Sequence, residues 1–498
     1  MTVRLGTFDA ESWWRPADLA ALPSVGWADP AVGAMDELLA AFCAPNDLLI
    51  TRHPLAASIR EGLEKALYNK DFDHLSLDAP GSEPIERQVL GDPAVLVRIR
   101  GRELTPYAVL PETWKLAEQW LPAPEIVAEV NSKTWSNELV RELGLPGAGR
   151  VVRSVDELVT AVTALQFQAL IKDPYGVSGR ALIQVATPGV LRAVERVLRK
   201  QVDAGRRVEL IVQEKYAKQH DFSGHLLLDR NGDWEFLGLQ LMTNRGFRHF
   251  GSSPVPPGLI DEGWYAETLA EVVPAIAKTG YWGPVGVDAM LLDDGTVIPV
   301  LEINARQSLG LLSLEIGCRA AEHGLTGHLW QLELNVAPGK GIDDVFVALG
   351  NLLYDGGTAP GVTVLSGSTL AAPGGRIYVA IFCPTGEIDR WRQRLHAALT
   401  TPDLTPRGHP GPSPAGASPV HGHPAASPAP GHPAASPARG HPGSSPAGGH
   451  PGSSPADGHP APDQPAAIPA SHQRAAADAA DSRPPKSRHL LREEGQDD

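Results

Sequence analysis

The chain has 498 residues, a net charge of −15, 46 prolines and three cysteines. The acidic excess argues against a nucleic-acid or anionic-membrane surface, either of which calls for a basic excess. Cys43, Cys318 and Cys383 are widely spaced and unpaired in sequence, which suggests neither a disulfide framework nor a zinc site and fits a reducing compartment. No apolar run is long enough to span a bilayer, and residues 1–6 lack the basic-then-apolar profile of a signal peptide. A cytoplasmic protein with room for two or three domains is expected.

Residues 1–124 mix strand-like runs (47–51 and 94–99) with helical ones (34–42 and 57–67), the alternation of a small α/β unit. Residues 125–335 carry the chemistry. Asn131-Ser132-Lys133-Thr134-Trp135 opens an amphipathic helix with Leu139, Val140 and Leu143 on one face. Gly144, with Pro146 close behind, stops it. Lys133 adds positive charge at a helix start, where the dipole already favours phosphate. A solvated lysine explains that position equally well.

The run 168–172 reads as a strand ending in Lys172. A loop containing Gly176, Ser178 and Gly179 follows, and then a second strand at 181–185. Small residues let backbone N–H groups approach phosphates, and a lysine at the loop base supplies a point charge. An ordinary β-hairpin fits the same residues, and no Gly-Lys-Ser/Thr follows to make a Walker loop. Residues 209–216 form a β run that breaks at Glu214-Lys215-Tyr216. Such a break presents backbone groups to a purine edge, with Glu214 accepting from an exocyclic amine, or else it is a strand end with solvated charges. Arg245, Arg248 and His249, walled by Phe247 and Phe250, either meet phosphate or an acidic substrate or belong to a surface loop.

The densest signal lies at 286–306. Two apolar runs flank Asp293-Asp294-Gly295-Thr296, a hairpin signal, so the runs should pair as antiparallel neighbours. Side chains alternate along a strand, which puts Glu302, Asn304 and Arg306 on one face, near Asp288 on the partner strand. Carboxylate and carboxamide oxygens suit Mg2+, which keeps coordination positions open for phosphate oxygens. The guanidinium would face the anion activated beside the metal. Residues 336–400 hold a strand at 376–382 and a helix at 387–399, expected to complete the core or form a lid. From 401 to 498 the composition turns to Pro, Ala, Gly, Ser and His in a nine-residue repeat, with histidines at 423, 432, 441, 450 and 459. Such a segment buries too little apolar surface to offset chain entropy, so a disordered tail is expected.

Taken in order, the two lysines, the glycine loop, the Glu-Lys-Tyr break and Asp…Glu-x-Asn-x-Arg resemble the ATP-grasp superfamily. The hinge and metal strands are similar to those of biotin carboxylase, and the layout is similar to that of natural-product peptide ligases. The resemblance covers about residues 125–320. It implies an α/β fold of ATP-grasp type, with a small N-terminal domain (1–124), a two-lobed ATP-grasp domain (125–335), the element 336–400 and the tail. It further implies that Lys133, Lys172 and the loop through Gly176, Ser178 and Gly179 hold the ATP phosphates. Glu214, Lys215 and Tyr216 would hold adenine, and Asp221 ribose. Asp288, Glu302 and Asn304 would bind two Mg2+ ions, with Mn2+ as an alternative. Arg306 and Lys172 would be catalytic, with Arg245, Arg248, His249 and Arg306 toward the substrate.

The activity implied is a ligase that turns a carboxylate into an acyl phosphate and couples it to an amine of an amino acid or peptide. An ATP-grasp kinase and a catalytically inert nucleotide-binding scaffold are the alternatives. The expected partners are small molecules rather than nucleic acid or membrane, and the oligomeric state is left open.

Overall fold

The structure is a computed structural model and describes residues 1–23, 30–67, 71–77, 83–176, 181–368 and 370–407. Residues 177–180, which include Ser178 and Gly179 of the glycine loop, lie outside the described residues, as does the repeat tail from residue 408 onward.

Four strands open the chain: β1 (Thr2–Leu5), β2 (Leu48–Thr51), β3 (Asp73–Ser76) and β4 (Glu103–Pro106). They form a parallel sheet in the order β3-β2-β1-β4. Leu48, Leu49 and Ile50 are fully buried, as expected of a parallel sheet covered on both faces. The run at 94–99, expected as a strand, lies instead in the helix Pro93–Ile99. The Asp92 carboxylate accepts the N–H groups of Ala94 (2.9 Å) and Val95 (3.3 Å), and Pro93 occupies the first turn. That start signal outweighs the β-branched composition behind it. Residues Ala34–Phe42 are helical as expected, but wound as a 3-10 helix.

A second, antiparallel sheet consists of β5 (Arg150–Val152), β6 (Ala169–Lys172), β7 (Leu182–Val185) and β8 (Leu210–Glu214), in the order β5-β8-β6-β7. It has its own apolar core, with Leu158, Ile171, Leu198 and Leu210 fully buried under the helices Val155–Ala164 and Pro188–Asp203. Ala20 and Leu22 of the N-terminal segment join that core. Arg15 reaches the loop after β6, where it pairs with the buried Asp173 and donates to the Ala20 carbonyl at 2.6 Å.

The third sheet has nine strands: β9 (Lys218–Leu228), β10 (Trp234–Arg245), β11 (Arg248–Pro254), β12 (Gly283–Leu292), β13 (Val297–Asn304), β14 (Thr326–Val336), β15 (Gly361–Ser366), β16 (Gly374–Cys383) and β17 (Leu404–Pro406). Its order is β13-β12-β9-β10-β11-β14-β16-β15, with β17 on β14, and every pairing is antiparallel. Residues 336–400 therefore extend the same sheet that carries the hairpin. Residues 401–407, assigned to the tail by composition, are also structured. Leu404 is 1% exposed, β17 pairs with β14, and Arg407 donates to Asn335 at 2.6 Å. One buried leucine in a polar, proline-rich context was too weak a signal to mark that strand. Among the described residues, no helix is long and apolar enough to cross a membrane.

Candidate functional site

The second and third sheets, with Phe8, Val32, Met35 and Tyr107 of the N-terminal unit, line a cavity of about 710 Å³. At one end lies the hairpin β12–β13. Its turn closes through the Leu292 N–H to the Thr296 carbonyl at 2.8 Å, with Gly295 at φ 85°, a conformation that favours glycine. The register sets Asp288 directly opposite Glu302. Like charges facing each other across two strands repel, and burial adds to the cost. The Asp288 carboxyl is pushed up to about 7, first by burial and then by Glu302.

Two lysines converge on this pair from other elements. Lys133 is the first residue of the helix Lys133–Glu142, and its Nζ donates to Glu302 and, at 2.6 Å, to the Gly176 carbonyl. Lys172, at the end of β6, is pushed down to about 8 by burial, while Glu302 and Asp288 hold its proton on. Both lysines line the cavity, as do Asp288, Glu302 and Asn304.

The donor set fits a magnesium ion. Two facing carboxylates beside a carboxamide supply the hard oxygen ligands Mg2+ prefers, and Lys133 pairs with Glu302 where no metal is present. Among the described residues no three His, Cys, Asp or Glu side chains gather as a metal site. A cation here would draw protein ligands from Asp288, Glu302 and the Asn304 carboxamide, and its remaining oxygens from phosphate and water.

The segment expected to hold adenine also lines the cavity. Glu214 ends β8, Lys215 and Tyr216 follow it, and all three line the cavity with Leu170 and Leu182, the Lys215 N–H being fixed on the Gln168 carbonyl at 2.9 Å. Asp221, on β9, also lines the cavity and pairs with Met290 in the β9–β12 register. Its carboxylate accepts from Lys218 and, at 2.7 Å, from Asn244.

Arg306 lines the cavity with Asp288, Glu302 and Asn304, and its guanidinium is also held by protein groups. Its Nε donates to Glu11 at 3.0 Å, and one terminal nitrogen donates to the Tyr107 hydroxyl (2.9 Å) and the Gln307 carbonyl (3.1 Å). The other donates to Glu11 and, at 3.0 Å, to Asn304 Oδ1. A guanidinium has five N–H donors, and all five are engaged by protein in this structure. Arg306 therefore ties the end of β13 to the N-terminal unit and orients Asn304. Sequence pattern carried no trace of Glu11, which lies 295 positions away.

The three residues near the β10–β11 turn separate. Arg245 is exposed and stacks over Phe250 at 4.6 Å, outside the cavity lining. Arg248 lines the cavity and pairs with Glu333 at 2.7 Å. His249 lines it too, with Nε2 2.9 Å from Ser252 Oγ, and burial pushes its ring down to about 4, so it stays neutral. Gln331, Arg376 and Tyr378, which sequence reading did not single out, complete that wall. The one available signal was alternation, since Arg376 and Tyr378 sit two apart in a strand otherwise apolar.

No protein-family model and no curated protein matches the sequence. Among solved structures, the chain is similar to the biotin carboxylase domain of 2-oxoglutarate carboxylase from Hydrogenobacter thermophilus, crystallised with MgADP and bicarbonate. The identity is 14%, the match covers 81% of this chain and 90% of that one, and the TM-score is 0.48. It is also similar to N5-carboxyaminoimidazole ribonucleotide synthetase from Thermus thermophilus, at 13% identity over 80% of this chain and 99% of that one, with a TM-score of 0.48. An ADP complex of the same kind of synthetase gives 12% identity over 79% and 96%, with a TM-score of 0.49.

Proposed function

We propose that the chain is an ATP-dependent carboxylate–amine ligase of ATP-grasp type, acting on an amino acid or peptide. The observation that supports it most is the facing pair Asp288–Glu302 with Lys133 and Lys172 beside it, in the cavity that Glu214, Lys215 and Tyr216 also line. In this reading β8 and its exit hold adenine, Asp221 holds ribose, and the lysines hold the phosphates. Mg2+, when bound by Asp288, Glu302 and Asn304, would neutralise charge on the transferring phosphoryl group.

The steps balance as follows. A carboxylate oxygen takes the γ-phosphoryl group, the bond to the β-phosphate oxygen breaks, and ADP leaves. An amine then attacks the acyl phosphate carbon, loses a proton, and expels phosphate. Lys133 and Lys172 contribute fixed positive charge where the phosphoryl oxygens carry theirs, and catalysis of this kind is mostly positioning and electrostatics. Arg306 is a positioning residue, acting through Asn304.

The test is ADP release by the purified protein over a panel of amino acids and peptides, with mass spectrometry of the product. An amide product supports the ligase, whereas a stable phosphorylated product would make the protein a kinase. Glu302→Gln should abolish turnover while leaving the folded state as stable as before or more so, because it removes one of two facing carboxylates. An active Glu302→Gln enzyme at ordinary Mg2+ would remove the metal assignment.

A further inference from the structure

The segment that follows β1 touches both halves of the site. Glu11 lies in the helix Ala10–Trp14 and holds the Arg306 guanidinium, which in turn holds the Asn304 carboxamide at 3.0 Å. Arg15 comes four residues later, about 6 Å along the helix axis, with its N–H on the Glu11 carbonyl at 3.2 Å. Its guanidinium pairs with the buried Asp173, the residue after Lys172, and donates to the Ala20 carbonyl at 2.6 Å.

Asp173 opens the glycine loop and anchors the described part of it. Its carboxylate accepts the Tyr175 N–H at 3.0 Å, its N–H donates to the Ala181 carbonyl at 3.0 Å, and its carbonyl accepts the Gly176 N–H at 3.3 Å. Lys133 meets the same turn, its N–H on the Pro174 carbonyl at 3.0 Å and its Nζ on the Gly176 carbonyl at 2.6 Å. Beyond Arg15 the segment fastens onto the lobe of the second sheet. The Ala20 N–H donates to the Arg207 carbonyl at 2.8 Å, and the Arg207 N–H donates to the Asp18 carbonyl at 2.9 Å. The Gln201 side chain bonds both the N–H and the carbonyl of Ala21, at 2.9 and 2.8 Å.

We infer that residues 11–21 are a brace that sets the spacing between Asn304 at the metal end and Lys172 at the phosphate end, with Arg15 as a positioning residue for the nucleotide phosphates. The inference rests on the ligase reading above. Asn304 ends β13 in one sheet and Lys172 ends β6 in another, so no ladder of strand hydrogen bonds fixes their separation. Phosphoryl transfer depends on positioned charge, and a small misplacement is costly. The brace acts on the phosphate side alone, because the segment expected to hold adenine is fixed by a separate bond, from the Lys215 N–H to the Gln168 carbonyl.

The experiment uses the full chain, with calorimetry of AMP, ADP and a non-hydrolysable ATP analogue in Mg2+ and a thermal melt of each variant. Arg15→Met should weaken the ATP analogue and ADP by roughly ten-fold, the scale of losing a hydrogen bond to a charged group, and AMP by less than about two-fold. Arg15→Lys keeps the charge and loses the fork to Ala20, so its loss should be about three-fold. The double variant Glu11→Gln/Arg15→Met should bind the ATP analogue no more weakly than the worse single, since either change releases the same brace.

An Arg15→Met protein that binds all three nucleotides as wild type does overturns the inference. So does one that loses AMP as much as the ATP analogue, the mark of a general structural role. Additive losses from Glu11→Gln and Arg15→Met overturn the brace. Where the melt shows that Arg15→Met does not fold, Arg15→Lys decides by the same comparison of AMP with the ATP analogue. A wild-type protein that binds none of the three overturns the ligase reading beneath it.

Discussion

At the scale of single residues, a few charged groups are buried and paired far along the chain. Glu11 and Arg306 are 3% and 9% exposed, and among the described residues no other acidic group forms an ion pair with that guanidinium. Removing one partner of a buried pair strands the other charge, at a cost of about 3–5 kcal/mol. Glu11→Gln should therefore lower unfolding free energy by about 3 kcal/mol in urea titrations. The double variant Glu11→Gln/Arg306→Met should lose less than the sum of the two singles. Additive losses would show that the two residues do not act as a pair.

Asp36 makes a second residue-scale prediction. It is fully buried, its Oδ2 accepts the Arg52 N–H at 2.8 Å, and its Oδ1 has no partner. Burial pushes the carboxyl up to about 8. The folded state thus keeps a proton that the unfolded chain releases near pH 4, so stability falls as pH rises from about 4 to about 8. Asp36→Asn keeps the acceptor and cannot ionise. Its Tm should match wild type near pH 4 and exceed it at pH 8, as differential scanning calorimetry at the two pH values would read. Parallel pH profiles for the two proteins would contradict the shift.

At the scale of elements, the large sheet is joined across a narrow seam. β11 and β14 share two registered pairs, Gly251 with Trp330 and Ser252 with Leu329. A Cβ on Gly251 would lie 2.3 Å from the Trp330 ring and 2.7 Å from the Leu329 carbonyl, so only glycine lets the strands meet. Gly251→Ala should cost about 1–3 kcal/mol by overpacking. A urea titration measures the loss, and an unchanged midpoint would mean that the two strands can part enough to admit a methyl group.

Of the elements themselves, the hairpin 286–306 and the helix opened at Lys133 were legible because their signals are local. A turn pair, a period of two, and a glycine followed by proline each act within a few residues. The run at 94–99 misled because β-branched residues suit either state, and the deciding contact was the side chain of Asp92.

At the scale of the molecule, the described structure runs through Arg407, one residue past β17. Deletion of residues 408–498 should leave Tm and turnover unchanged. Deletion from residue 401 removes β17 with the buried Leu404, and should lower Tm by several degrees, since burying one leucine is worth about 1.5–3 kcal/mol. Thermal melts of the two truncations make the comparison, and identical melts would show that β17 adds nothing to the core. Glu333 pairs with Arg376 on β16, and its carbonyl accepts the Arg407 N–H at 2.7 Å.

The sequence by itself determined the hairpin of β12 and β13, the helix start at Lys133 and the strands that end at Lys172 and Glu214, because each is set by alternation or by a helix start within one element. Tertiary structure alone decided the rest. It spent Arg306 on Glu11 and Tyr107, and it brought β11, β14 and β16 together so that Arg248, Glu333 and Arg376 form one row. It also placed Gln331 with its amide nitrogen unpartnered. These residues lie far apart in the chain, and pairing across a nine-stranded sheet is fixed by packing and register, which no local pattern records.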